Sequence, residues 1–277
     1  MKHLLTIMAI ATGLAAAASC APKKEAPKVL VLYYSQTSNT KAVAEQIADA
    51  LKADIEEIVP VNPYDGDFKA TIDRCKEEMA QGVLPEIESL KADVAAYDVI
   101  FLGYPVWFGT YAPPVARLLK DVSFAGKKIV PFCTFGSGGL DSSIEQLAEA
   151  QPEAEILPGY GVRAARMDAV PRELDRFLKA GGFLEGEYVA PEEFPAQARI
   201  TEEETAIFDA AVDGYPMLHA KAVSSASRKG PDGMEYAFMA IDNPREDAPA
   251  DLPPSGPIFV YVLVEEGHAP VFTQVVR

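Results

Sequence analysis

Five short apolar runs, each followed by a segment with helical spacing, occupy residues 28–182 and restrict the possible architectures more than any other feature. Lys28 to Tyr34 (KVLVLYY) is apolar without alternation, as a strand covered on both faces would be. Thr40 to Leu51 sets Val43, Ile47 and Leu51 on one helical face. Ala53 to Val59, Tyr97 to Tyr104, Lys127 to Thr134 and Ile156 to Val162 repeat the strand pattern. Between and after them, Asp67 to Gln81, Val115 to Lys120, Ser142 to Ala150 and Pro171 to Ala180 read as helices, the last with proline in its first turn. Strands alternating with helices imply an α/β unit, a parallel sheet covered on both faces. With right-handed crossovers, a doubly wound five-stranded sheet of order 2-1-3-4-5 is the expected topology at this length.

Residues 183–277 follow another pattern. Gly181 and Gly182 end the last helix, and the acidic, proline-containing stretch 183–200 reads as a linker. Thr201-Glu202-Glu203-Glu204 is a capping box opening a helix to about Asp213. Leu218 to Ser225, Glu235 to Ile241, Ile258 to Val264 and Val271 to Val276 are strand-like. Arg228 to Gly233 (RKGPDG) reads as a hairpin-type turn, and Asn243 to Pro257, with five prolines, as a loop. Residues 201–277 are therefore expected to form a small α+β domain, one helix on a four-stranded antiparallel sheet.

Charge separates the two regions. The chain carries a net −16; residues 28–182 contribute −7 and residues 183–277 contribute −11, with +2 before them. A surface this acidic repels phosphate backbones, which argues against nucleic acid as a partner. Three cysteines cannot make a disulfide framework. Cys133 reads as a small buried hydrophobe, and Cys75 as a free thiol in a polar helix. His3, His219 and His268 are scattered, so no converging set of metal ligands is expected.

Lys2 and His3 precede an uncharged run from Leu4 to Ala18, which ends Ala17-Ala18-Ser19-Cys20. This is the layout of a secretory signal peptide over residues 1–20. The terminal cysteine resembles the lipobox of bacterial lipoproteins, although Ala17 replaces the usual leucine. The resemblance implies lipidation at Cys20, residues 21–27 as a tether, and a lipid anchor as the sole membrane attachment. It places the protein at the bacterial cell envelope, facing the periplasm, with the outer membrane preferred because Ala21 rather than Asp follows the cysteine. The alternative is an ordinary cleavable signal.

Ligands of doubly wound sheets bind at the carboxyl ends of the strands. Three loops meet that condition. Ser35-Gln36-Thr37-Ser38-Asn39-Thr40 runs straight into a helix, whose unpaired N–H groups and partial positive charge suit a phosphate. It has neither the glycines nor the lysine of a nucleotide P-loop, so ATP is a poor fit. Pro105-Val106-Trp107-Phe108-Gly109-Thr110 offers aromatic rings to a planar ligand. Thr134-Phe135-Gly136-Ser137-Gly138-Gly139 allows backbone N–H groups to come close. Each has a plainer alternative: a loop capping its own helix, a hydrophobic cover on the sheet edge, a flexible turn.

Together the three carry a resemblance. S-Q-T-S-N-T resembles the S-x-T-G-N-T phosphate loop of flavodoxins, with Ser38 where that family has glycine. YDVIFLGYPVWFGTYAPPV and FAGKKIVPFCTFGSGG resemble bacterial flavodoxin-like proteins that bind FMN. The resemblance covers residues 28–182 and implies a flavodoxin-like fold with FMN as cofactor. It sets the phosphate at Ser35–Thr40 and the flavin ring between Pro105–Gly109 and Thr134–Gly138. Trp107 is then the stacking residue and Phe135 a second candidate. The implied role is electron transfer to a redox partner protein or a small-molecule acceptor. The alternatives are an NAD(P)H-dependent reductase of quinones or similar acceptors, and a lipid-anchored binding module with a structural flavin. Residues 201–277, with G-Y-P-x-L before their first strand, resemble cystatin-like domains of bacterial lipoproteins, but no Gln-Val-Val-Ala-Gly inhibitory loop is present.

Overall fold

The computed structural model describes residues 27–65, 67–242 and 256–277. The signal segment with Cys20, residues 21–26 of the tether and residues 243–255 of the proline-rich loop lie outside the described residues.

In the first unit, β1 (Val29–Tyr33), α1 (Asn39–Leu51), β2 (Asp54–Glu57), α2 (Phe68–Gln81) and β3 (Val99–Trp107) follow the expected alternation. A two-residue β4 (Thr110–Tyr111) precedes α3 (Pro113–Asp121), β5 (Lys128–Phe135) and α4 (Leu140–Ala150). Then come β6 (Glu155–Ile156), β7 (Tyr160–Arg163) and α5 (Val170–Ala180). The sheet order is β2-β1-β3-β5-β6, with β7 also paired to β5, so the five sequence runs stand in the order 2-1-3-4-5. All pairings along this path are parallel.

The physical cause lies in the apolar runs. Leu30 and Leu32 enter one core layer with Ile100 and Leu102, while Val31 and Tyr33 enter the opposite layer with Val43, Ile47 and Phe101. Successive side chains of a strand point to opposite faces, and here both faces are covered. Packing of the first unit continues past Gly182, because Phe183 sits against Phe101 with ring centroids 5.0 Å apart.

Two features of this sheet differ from expectation. The fifth run is not one strand; it breaks between Ile156 and Tyr160. Pro158 lies in the gap and offers no N–H to the ladder. β3 does not stop at Tyr104 but continues through Pro105, Val106 and Trp107 and pairs with β4.

The second unit comprises β8 (Ala198–Arg199), α6 (Glu202–Val212), β9 (Ala220–Lys229), β10 (Met234–Asp242), β11 (Pro257–Val264) and β12 (Val271–Val276). Its antiparallel sheet has order β12-β11-β10-β9-β8, five strands rather than the four expected. The extra strand lies inside the stretch read as linker, where Ala198 and Arg199 pair with Ser225 and Ser224. Both residues are exposed, so this strand rests on backbone pairing and leaves no hydrophobic pattern. The capping box at Thr201 is complete. Phe208 of α6 packs on Phe238 at 5.3 Å, within a core shared with Val260, Phe272 and Val275.

Candidate functional site

The loop after β1 is built around a strained turn into α1. Ser38 is the N-cap residue at φ 67° and ψ −4°, in the left-handed region that glycine occupies without cost. That conformation turns the chain so that the amino end of α1 opens toward the carboxyl edge of the sheet. Ser38 makes no side-chain cap, and the first turn of α1 contains no acidic residue. Among the described residues, no acceptor faces the backbone N–H groups of Thr37 to Lys41. Ser35 Oγ is sealed from solvent and also has no partner. An unmet buried hydroxyl costs about 1–3 kcal/mol, which a ligand oxygen would relieve.

The remaining loop residues are placed as follows. Gln36 turns its side chain away, donating to Tyr64 O at 3.0 Å and Thr71 Oγ1 at 2.8 Å. Asn39 Nδ2 donates to Thr37 Oγ1 at 3.4 Å. Thr40 is buried, and its hydroxyl shares a 2.8 Å hydrogen bond with that of Thr134. This bond ties the first loop to the end of β5.

Trp107 and its neighbours form a β-hairpin. Phe108 and Gly109 are the two residues of its turn, with φ of 53° and 80°. Positive φ at both central positions is the type I′ geometry that suits two-residue hairpins. Gly109 takes it freely, whereas Phe108 is held there with its ring half exposed. Trp107 meets Tyr34 edge-on at 5.8 Å and Tyr64 at 5.2 Å. With Phe108, Thr110, Tyr111, Met79 and Val83, Trp107 also borders a cleft of about 330 Å³. Thr110 Oγ1 is the second sealed hydroxyl without a partner.

The third loop lies beside the hairpin: Val106 packs on Gly139, and Ser142 Oγ donates to Gly109 O at 2.8 Å. Phe135 is a core residue, buried with its ring against Gly161, and presents no face to a planar ligand. What this loop offers a ligand is Thr134 and the backbone of Gly136 to Gly138. The three predicted loops therefore converge, with the side chains of Gln36 and Phe135 turned elsewhere.

Sequence reasoning missed Tyr34, Tyr64 and Arg163. Tyr34 directly precedes the first loop, a position that could have flagged it. Tyr64 comes from the loop after β2, held by Arg74 3.8 Å over its ring and by a 2.5 Å bond from its hydroxyl to Glu78. Burial raises the phenols of Tyr34 and Tyr64 above their ordinary range, so both stay neutral donors at physiological pH. Burial also raises the Cys133 thiol, and Cys75 and Cys133 are free thiols inside the core. Among the described residues, no cluster of side chains could hold a metal ion.

Comparison with solved structures finds similar chains. A candidate flavoprotein from Bacteroides eggerthii is 30% identical over 54% of this chain and 97% of its own, with a TM-score of 0.47. A second from Bacteroides uniformis is 27% identical over 54% and 98%, with a TM-score of 0.48. A flavoprotein from Lactobacillus acidophilus, solved in complex with FMN, is 26% identical over 53% and 98%, with a TM-score of 0.46. Comparison with curated proteins finds no match. The model of the family described as Flavodoxin matches residues 28–171, which span β1 to the start of α5 and include all three converging loops. With its sheet order and site loops both in that span, the chain belongs to the flavodoxin family.

Proposed function

We propose that this chain is an FMN-binding electron-transfer protein, anchored at the bacterial cell envelope through lipid on Cys20. The observation that carries the cofactor is the set of unmet donors at Ser35 and Thr37–Lys41, at the amino end of α1. Neutral N–H and hydroxyl groups at a helix N-terminus suit a terminal phosphate dianion. FMN is the cofactor this site takes, and when bound it supplies the redox chemistry.

The chain's own residues bind and orient it. Ser35, Thr37, Ser38 and Thr40 would hold the phosphate by donating to it, and the Thr40–Thr134 bond fixes the spacing between phosphate loop and ring loop. Trp107, braced edge-on by Tyr34 and Tyr64, supplies a rigid aromatic wall. The acidic surface steers basic redox partners toward the protein. Among the described residues no helix is long and apolar enough to cross a membrane. Membrane attachment in this reading therefore rests on the residue 1–20 segment, facing the periplasm and with the outer membrane preferred. The second unit is read as cystatin-like from its single helix on an antiparallel sheet, without inhibitory function.

A titration with FMN and with riboflavin tests the reading, followed through Trp107, the one tryptophan of the chain. FMN quenches the emission and binds orders of magnitude more tightly than riboflavin, since each charge-assisted hydrogen bond to the phosphate is worth ~1.5–3 kcal/mol. Equal affinities would overturn the phosphate assignment. Metabolic fatty-acid labelling that marks the wild type and spares Cys20→Ser tests the anchor.

A further inference from the structure

The loop expected to hold one side of the flavin ring is also the place where the two units of this chain meet. Val275 of β12 donates its N–H to Ser137 O at 2.6 Å. A β-carbon added to Gly138 would stand 2.1 Å from Val275 O, so the strand lies directly on the loop. Arg163, the last residue of β7 and 7% exposed, bridges both sides. Its Nε donates to Gly136 O at 2.8 Å and a terminal nitrogen to Phe272 O at 2.8 Å. Its guanidinium stands 3.3 Å from the centroid of the Phe272 ring and 5.3 Å from that of Tyr215. Farther out, Arg172 pairs with Glu265, and Arg176 with Asp232 at 2.5 Å, fastening α5 to two turns of the second unit.

A buried arginine without a carboxylate is costly, and it is held here by carbonyl oxygens from both units and by aromatic faces. Burial lowers its pKa to about 10, which leaves it protonated at neutral pH. β12 also closes a recess of about 340 Å³ whose other walls include Gly109, Ser137 and Gly139, members of both ring-side loops.

We propose that the C-terminal unit is a fixed wall of the cofactor site: β12 and Arg163 hold Gly136–Gly138 in the conformation that receives the flavin ring. Arg163 is a positioning residue, acting through the loop. The docking of the units stands on its own contacts, while its effect on the cofactor rests on the FMN reading above. A wall here leaves the Trp107–Phe108 side as the approach for electron donors and acceptors.

The test uses the full chain with Val275→Pro, Arg163→Met and Arg163→Lys. Val275 spends its N–H on Ser137 rather than on β11, so proline removes the contact between units and spares the ladder. Two measurements are made: FMN affinity through Trp107, and hydrogen exchange of the Ser137 to Gly139 amides without FMN. Both Val275→Pro and Arg163→Met should exchange faster at the loop and bind FMN about tenfold more weakly or worse, the equivalent of one good hydrogen bond. Arg163→Lys, able to reach one carbonyl, should recover part of both losses. Arg172→Ala, at the exposed periphery, should stay within about twofold of wild type. Folded variants with wild-type exchange and wild-type affinity would overturn the proposal. A wild type that does not bind FMN would overturn the cofactor reading alone, since loop exchange still reports on the wall. Should Arg163→Met fail to fold, Val275→Pro and Arg163→Lys decide the matter by the same two measurements.

Discussion

The two sheets of this molecule bury their strands in different ways, and the difference decides where each can act. In the parallel sheet every residue of β1 after Val29 is buried, as are the first six residues of β3 and all of β5 after Lys128. With both faces covered, chemistry is possible only at the strand ends. In the antiparallel sheet Ile258, Val260 and Val262 of β11 are buried while Phe259 and Tyr261 are partly open. α6 covers one face. The 183–200 segment crosses the other, with Phe194 on Tyr261 at 6.0 Å and Gln197 donating to Ala237 O at 2.9 Å. What the second sheet has to offer is its edge. An edge strand carries unpaired backbone groups, and Val275 of β12 uses one on the first unit.

The largest test of that comparison sets Phe132→Ala in the parallel sheet against Phe238→Ala in the antiparallel one. Both side chains are fully buried, and each truncation should cost about 3–5 kcal/mol. Trp107 reports on the first unit alone. If the units are joined as Arg163 and the α5 ion pairs imply, Phe238→Ala should lower the denaturant midpoint seen by Trp107 as well as the one seen by circular dichroism. A Trp107 transition unchanged in Phe238→Ala would show two independently melting units.

A smaller effect is expected at the start of α6. Thr201 accepts from Glu204 N–H at 3.2 Å, and Glu204 reaches back to Thr201 N–H at 2.9 Å. Thr201→Ala should cost about 1 kcal/mol by urea denaturation, and loss of no stability would mean that the box is ornamental. This motif was legible in the sequence because capping is local, as were the five apolar runs that determine the sheet order. The convergence of the three loops was legible too, since the carboxyl ends of a doubly wound sheet lie together.

What the sequence hid depends on distant or backbone-only contacts. β8 has no apolar residue to bury beyond Ala198, so nothing in its pattern announces a strand. The extension of β3 through Pro105 ran against the usual reading of proline as a breaker, yet Pro105 pairs in register with Thr134. Phe135 looked available beside a glycine-rich turn, but β5 continues to it and turns its ring inward. Arg163 could not be singled out, because its second partner, Phe272, lies 109 residues away.

Ser38 gives a gain rather than a loss. Its left-handed φ carries a strain of about 1–2 kcal/mol for a residue with a β-carbon, partly offset by the ~0.5–1 kcal/mol entropy cost of glycine. Ser38→Gly should therefore stabilise the first unit by a few tenths of a kcal/mol, up to about 1, in the Trp107-monitored transition. A destabilised variant would mean that the serine hydroxyl holds the phosphate loop in place even without ligand.

The smallest effect at neutral pH is also the one that separates the two units by chemistry. The Cys75 thiol is pushed up to about 11 by burial, with Glu78 adding to the shift and Arg74 opposing it. Burial likewise raises the phenols of Tyr34, Tyr64, Tyr104 and Tyr160, all in the first unit. For an acid whose folded pKa lies above its unfolded value, the unfolded chain loses its proton first. The stabilisation is whole below the unfolded pKa of 9.0 and is lost as pH rises toward 11. Among the described residues of the second unit, Tyr236 alone is raised in this way, by burial and the nearby Glu203 and Glu204. The Trp107-reported midpoint should thus be flat up to about pH 8.5 and fall between about pH 9 and 11, before the tyrosines begin to titrate in the fold. Amide exchange within β9 to β12 should change less over the same window than exchange within β1, β3 and β5, once the intrinsic base catalysis of exchange is divided out. A midpoint that holds steady to pH 11 would mean that Cys75 and its tyrosine neighbours ionise as easily in the folded unit as in the unfolded chain.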